Sequence, residues 1–260
     1  MDRVKAKKYL GQHFLNEPAI AQKIAQSLTL HHTTILEVGP GMGILTRYLL
    51  QNKQADIWVV EIDPESVKYL KNNFSSLENK IIEDDFLKLE LSSFFKGKPF
   101  ALIGNYPYNI SSQIVFKMLE NKELITEMVG MFQKEVAERI CAKPGNKDYG
   151  ILSVLTQAYY QTEYLFTVDA NKFNPPPKVK SGVVRLIRKN ETSLGCNERL
   201  FKELVKQSFN QRRKMLRNSL KTIGFNEEEL QMPIFSKRPE QLTLTEFVYL
   251  TNLLNKNLHV

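Results

Sequence analysis

Cysteine is almost missing from this 260-residue chain: only Cys141 and Cys196 occur, and their spacing suits neither a metal site nor a disulfide framework. So little cysteine fits a reducing, cytoplasmic setting. The four histidines form no ligand-spaced cluster, so no metal is expected. No run of about 18 apolar residues occurs, which excludes a helical membrane span. The N-terminal stretch MDRVKAKKYLGQHFLNEPAI lacks the apolar centre of a signal peptide. Acidic residues are also in deficit, 28 against 36 basic ones, leaving a net charge of +8. That balance favours a polyanionic partner. Nucleic acid is preferred to a membrane surface, because no aromatic-rich basic amphipathic helix stands out. Nothing asks for an obligate protein partner.

Two periodicities alternate over the first half of the chain. TTILEV (33–38), DIWVVEI (56–62), KIIEDDF (80–86) and PFALIG (99–104) are short apolar runs bounded by turn signals, as buried parallel strands are. ILTRYLLQN (44–52), PESVKYLKNNF (64–74) and SQIVFKMLE (112–120) carry helix-spaced apolar positions between and after them. Strand alternating with helix predicts an α/β, Rossmann-like domain with a parallel sheet. TEMVGMFQ (126–133) is followed by the charged helical stretch KEVAERICA and the amphipathic GILSVLTQAYYQ (150–161). A proline-rich turn, FNPPPK, precedes a closing strand or hairpin arm, VKSGVVRLIRK (179–189). The polar NETSLGCNE reads as a linker, and the apolar spacing beyond it is helical throughout. Thr243 and Glu246 stand there in capping-box register. The expectation is an α/β domain over 1–189 and a small all-helical domain over 190–260.

The chemistry begins at EVGPGMG. Gly39, Gly41 and Gly43 lie between a strand and a helix, where the backbone must turn sharply and a ligand can come close. A dinucleotide fingerprint requires glycine at position 44, which is Ile44 here. Alternate glycines followed by an acidic strand end, Glu61, suit a nucleoside without a pyrophosphate. Glu61 can accept both ribose hydroxyls, as the acidic residue does in dinucleotide folds. Asp85 is placed to take an adenine amino group.

EVGPGMG, VVEID, EDDF and NYPYNI, in that order and spacing, resemble S-adenosylmethionine-dependent methyltransferases that act on an exocyclic amino group. KKYLGQHFL, FNPPPKVKSGVVRL and FNQRRKMLRNSL narrow the resemblance, over nearly the whole chain, to the ribosomal small-subunit RNA adenine dimethyltransferases. The resemblance implies S-adenosylmethionine as cofactor and N6 of two adjacent adenosines near the 3′ end of 16S ribosomal RNA as target. That RNA would be met within an immature small subunit. It also implies cofactor contacts at His13, Leu15, Gly39, Glu61, Asp85 and Asn105, joined by Gly41 of the glycine turn. His13 replaces the asparagine often found at its position. The large-subunit adenine methyltransferases of macrolide resistance look similar, and a non-catalytic RNA-binding assembly factor on the same fold is a further alternative. FNQRRKMLRNSL favours the small-subunit enzymes over the first, and an intact Asn105–Tyr108 segment argues against the second.

An adenine amino nitrogen is a poor nucleophile because its lone pair is delocalised into the ring. A site that accepts both amino protons pulls that nitrogen toward a pyramidal geometry. Asn105 offers a side-chain carbonyl for this, and Pro107 its backbone carbonyl. Tyr108 is placed to stack on the base, and the resemblance puts Phe173 on the base's opposite face. Tyr106 stands where the family usually has a smaller aliphatic residue, and it either narrows the pocket or packs away from it. Candidate phosphate contacts are Lys5, Lys7 and Lys8 at the N-terminus, Lys178 and Lys180 beside the proline turn, and Arg212, Arg213, Lys214 and Arg217 in the helical domain.

Overall fold

The structure is a computed structural model that describes residues 4–29, 33–191 and 193–258. Its strands are β1 (Phe14–Leu15), β2 (Thr34–Val38), β3 (Asp56–Glu61), β4 (Ile81–Glu83), β5 (Phe100–Asn105), β6 (Ile125–Gln133), β7 (Tyr160–Val168), β8 (Phe173–Asn174) and β9 (Ser181–Arg188). Seven of them form one sheet in the order β4-β3-β2-β5-β6-β9-β7. From β4 to β6 all neighbours are parallel, and β9 runs antiparallel to β6. The parallel strands are apolar because helices cover both faces of such sheets; Phe100–Gly104 of β5 are buried without a break. Strand order turns back between β2 and β5, which opens a crevice at their carboxyl ends. Among the described residues no helix is long and apolar enough to cross a membrane.

Local chemistry explains the element ends near that crevice. The helix Pro64–Asn73 has proline in its first turn, where no N–H is needed. Asp63 caps it, accepting the Glu65 N–H at 3.1 Å. β5 stops where Pro107 removes a ladder donor. A separate two-stranded ribbon pairs β1 with β8, Leu15 opposite Phe173. This ribbon and the strand β7 are absent from the sequence reading. QTEYLFTV follows an amphipathic helix without a turn signal, and two-residue strands leave no periodicity to detect.

The chain divides into two compact units, and the division corrects the single boundary expected at 189/190. One unit runs to Ala137 and resumes over Gln161–Arg188; the other joins Glu138–Tyr160 to Lys189 and beyond. Helix Ile151–Tyr159 belongs with the C-terminal helices because its apolar face, including Val154, Leu155 and Ala158, packs on helices Glu198–Asn210 and Leu244–Asn257. The last of these starts in the expected capping box: the Glu246 N–H donates to Thr243 Oγ1 at 3.2 Å, and the Thr243 N–H to Glu246 Oε2 at 2.8 Å.

Candidate active site

A cavity opens at the carboxyl ends of β2, β3, β4 and β5, and it gathers most of the residues singled out from sequence. Gly39, Gly41, Glu61, Asp85, Asn105, Pro107 and Tyr108 line it from the strand side, and Leu10–Phe14, including His13, line it from the other. Leu15 lines an adjoining cavity that shares Phe14, Gly39 and Asn105 with the first. Gly39 and Gly41 both hold positive φ, +68° and +56°. A side chain at Gly41 would meet the Phe14 ring at 2.7 Å. At Gly39 it would meet only Pro107, at 3.9 Å, so the absent Cβ leaves space beside Pro107.

The carboxylates are held firmly. Glu61 is 4% exposed; its Oε2 accepts the Gly41 N–H and its Oε1 the Asp63 N–H, each at 3.0 Å. Burial raises its pKa, and those two backbone donors oppose the rise. Each oxygen keeps a second lone pair, so two further donors can be served. Asp85 Oδ1 accepts the Leu87 N–H at 3.0 Å, which holds the carboxyl at the rim.

The NYPYNI segment is more constrained than its sequence suggests. Asn105 Nδ2 donates to the His13 carbonyl at 3.0 Å, leaving Oδ1 as the amide's free acceptor. The Pro107 carbonyl faces Ile110 N at 3.3 Å and Ser111 Oγ at 3.2 Å. Ser111 has one hydroxyl proton and a second acceptor, Tyr108 O, at 3.1 Å. When the proton goes there, Pro107 keeps a lone pair for another donor. Tyr108 is fixed by a 2.5 Å hydrogen bond between its hydroxyl and Ser181 Oγ, and its ring centre lies 5.3 Å from that of His13. Ser181 carries no sequence signal for this role.

Tyr106 borders the cavity, but its side chain is buried. It is 1% exposed, with its ring across Gly104 and Gly130 and 4.9 Å from Phe132. Gly104 and Gly130 are register partners on β5 and β6, and added Cβ atoms there would meet the ring at 2.7 and 2.3 Å. The two missing side chains make room for the larger residue. Phe173 is also buried. Its ring is 3% exposed, in the same cluster as Leu15, Ile24 and Val183, because the β1–β8 ribbon turns it inward.

A buried acid, Glu37, was missed, although a carboxylate within TILEV is itself a signal. It is 1% exposed, accepts a 2.6 Å hydrogen bond from Thr46 Oγ1, and borders the second cavity. Burial pushes its pKa up to about 8, with the neighbouring Glu61 charge adding to the rise. Because the fold favours the neutral acid, this group's contribution to stability is complete below the ordinary value of 4.5 and is lost as pH rises toward about 8. Resistance to urea should therefore decline across that window, at no more than about 1.4 kcal/mol per pH unit from this group. Glu37→Gln should flatten the decline; an unchanged slope in paired denaturation curves would remove Glu37 as its source.

With this geometry described, the chain can be compared with known proteins. The sequence profile of the ribosomal RNA adenine dimethylases matches residues 3–251. The chain belongs to that family. A relative from Phocaeicola vulgatus named ribosomal RNA small subunit methyltransferase A is 61% identical, over 97% of this chain and 90% of its own. The protein of the same name from Flavobacterium johnsoniae is 58% identical, over 96% of both. Among solved structures, a dimethyladenosine transferase from Plasmodium falciparum superposes with a TM-score of 0.78 at 26% identity, covering 94% of this chain and 98% of its own. The 23S rRNA methyltransferase ErmE gives 0.65 at 28% identity, covering 91% and 99%. The dimethylase is an S-adenosylmethionine-dependent enzyme, and the cavity suits that donor. Buried Glu61 and half-buried Asp85 offer acceptors, and the space left at Gly39 admits a close ligand.

The dimethylase's basic residues are not equally available. Lys7 is drawn into an ion pair with buried Asp63 and a second, at 3.2 Å, with Glu65, which corrects its place among free phosphate contacts. Lys5, Lys8 and Lys178 are exposed. Lys180 pairs with Asp169 at 2.8 Å on the surface. In the helical unit Arg213 and Lys214 are exposed, whereas Arg212 donates to the Lys147 carbonyl and Arg217 to Ser236 Oγ.

Proposed function

We propose that this dimethylase converts two adjacent adenosines near the 3′ end of 16S ribosomal RNA to N6,N6-dimethyladenosine, on an immature small subunit in the cytoplasm. The observation that carries the chemistry is the Asn105 amide, whose nitrogen donates to the His13 carbonyl and whose oxygen is left to accept. Glu61 would take the cofactor's ribose hydroxyls, Asp85 its adenine amino group, and His13, Leu15, Gly39 and Gly41 would enclose the remainder. S-adenosylmethionine supplies an electrophilic methyl group on sulfur. The protein's part is positioning: in the first transfer Asn105 Oδ1 and the Pro107 carbonyl accept the two amino protons of the target adenine, and in the second, one of them accepts the single proton left. Each transfer releases one amino proton to solvent, and Tyr108 stacks on the ring. Extruding the base costs a few kcal/mol, and a stacking contact returns roughly 1–3 kcal/mol. The exposed Lys5, Lys8, Lys178, Arg213 and Lys214 hold phosphates, with Lys180, Arg212 and Arg217 beside them, and none of these contacts reads sequence.

The small-subunit assignment draws on the name and 61% identity of the Phocaeicola vulgatus relative, against 28% for ErmE. Immature small subunits incubated with the protein and isotopically labelled S-adenosylmethionine should acquire label as dimethyladenosine at two neighbouring positions, read by mass spectrometry of RNA fragments. Label in large-subunit RNA alone would favour the macrolide-resistance type of activity. No label in either, with RNA still bound, would favour the assembly factor.

A further inference from the structure

The segment from Lys7 to His13 is tied down at both ends. At its start the segment is held through Lys7, whose Nζ pairs with Asp63 Oδ1, and Asp63 also reaches forward to Gln12, whose Nε2 donates to Asp63 Oδ2 at 3.2 Å. The Lys7 N–H closes the turn onto Gln12 Oε1 at 2.8 Å. At the other end, the segment reaches the NYPYNI loop. Gly11, at φ +65°, seats so closely that an added Cβ would lie 2.5 Å from Asn109 Oδ1. Two residues later, the His13 carbonyl receives Asn105 Nδ2. The Asp63 side chain is fully buried and spends its remaining capacity on the Glu65 N–H and Ser66 Oγ, each at 3.1 Å. It is therefore a fixed anchor.

We propose that Asp63 is a positioning residue for methyl transfer, holding Lys7 and Gln12 so that the His13 carbonyl turns Asn105 Oδ1, not Nδ2, toward the target amino group. An amide is nearly symmetric in shape, so packing alone selects its orientation weakly. A hydrogen bond to one end selects it strongly, because the reversed amide would set its oxygen against the His13 oxygen. Reversed, Asn105 would present donors to an amino group that is itself a donor, and the acceptor pair would be broken. Lys7 thereby serves catalysis through Asn105 instead of through an RNA phosphate. This rests on the reading of the site as an adenine N6-methyltransferase.

Lys7→Met removes the anchor's partner and leaves the buried Asp63 carboxylate without its cation, so folding is checked by its melting temperature, and Asp63→Asn keeps an N-cap while removing the buried charge itself. Two measurements decide. In the protein without RNA or cofactor, the Asn105 side-chain amide of the wild type should show one slowly exchanging proton by NMR. Its exchange should accelerate about tenfold in Lys7→Met, the scale of one lost hydrogen bond. At saturating cofactor and RNA, Lys7→Met and Asp63→Asn should each slow single-turnover transfer by about tenfold. In an Asn105→Ala background the same changes should cost nothing further. Unchanged Asn105 exchange overturns the proposal, and so does an undiminished rate loss in that background, which would mark the segment as structural. A wild type that leaves RNA unmethylated would count against the substrate reading, while the exchange measurement still judges the anchor.

Discussion

Asn105→Ala is expected to cut single-turnover methyl transfer by about 10²–10³-fold, the scale of losing one preorganised polar group at a reacting centre. RNA affinity should be nearly unaltered. The bond from the target's amino group to Asn105 Oδ1 strengthens as the nitrogen becomes pyramidal, so its loss falls on the transition state and not on ground-state binding. The structure sharpens the expectation because the amide nitrogen already donates to the His13 carbonyl, at 3.0 Å. Tyr108→Ala supplies the contrast: its stacking is lost in ground and transition states together, so affinity and rate should fall in company. Transfer rate, RNA affinity and cofactor affinity would be measured on the same preparations. Wild-type transfer by a folded Asn105→Ala protein would remove Asn105 from the chemistry.

Glu61→Ala should weaken S-adenosylmethionine by at least about a hundredfold in calorimetry. Two charge-assisted hydrogen bonds to ribose hydroxyls, at roughly 1.5–3 kcal/mol each, set that scale. The same carboxylate receives the Gly41 and Asp63 N–H groups, so alanine also frees the glycine turn. Glu61→Gln separates these effects: it keeps an acceptor for one backbone donor and one hydroxyl, and should lose part of the affinity with little loss of melting temperature. Full cofactor affinity in a folded Glu61→Ala protein would place the ribose elsewhere.

The residues legible in the sequence share a position: Gly39, Glu61, Asp85 and Asn105 each stand where an apolar strand run ends. A parallel sheet brings such ends to one edge whatever its details, so strand boundaries alone were enough to gather them. The residues whose surroundings the sequence left open depend on distant partners. Tyr106 turns inward because glycine occupies both Gly104 and Gly130, on different strands. Phe173 is buried because a two-residue ribbon joins it to Leu15, far along the chain. Lys7 reads as one more basic residue until Asp63 is seen to hold it.

By itself, the sequence determined which segments form strands and helices around the glycine turn, the acidic strand ends and the family to which they point. All of these follow from local periodicity, turn chemistry and residue order. Tertiary structure alone decided that 138–160 packs with the C-terminal helices, that Glu37 is an acid whose burial opposes its ionisation, and that the Asn105 amide nitrogen donates to the His13 carbonyl. An apolar stripe states that a face will be covered without stating by what. A side chain's charge and orientation are set by neighbours that only folding brings within hydrogen-bond reach.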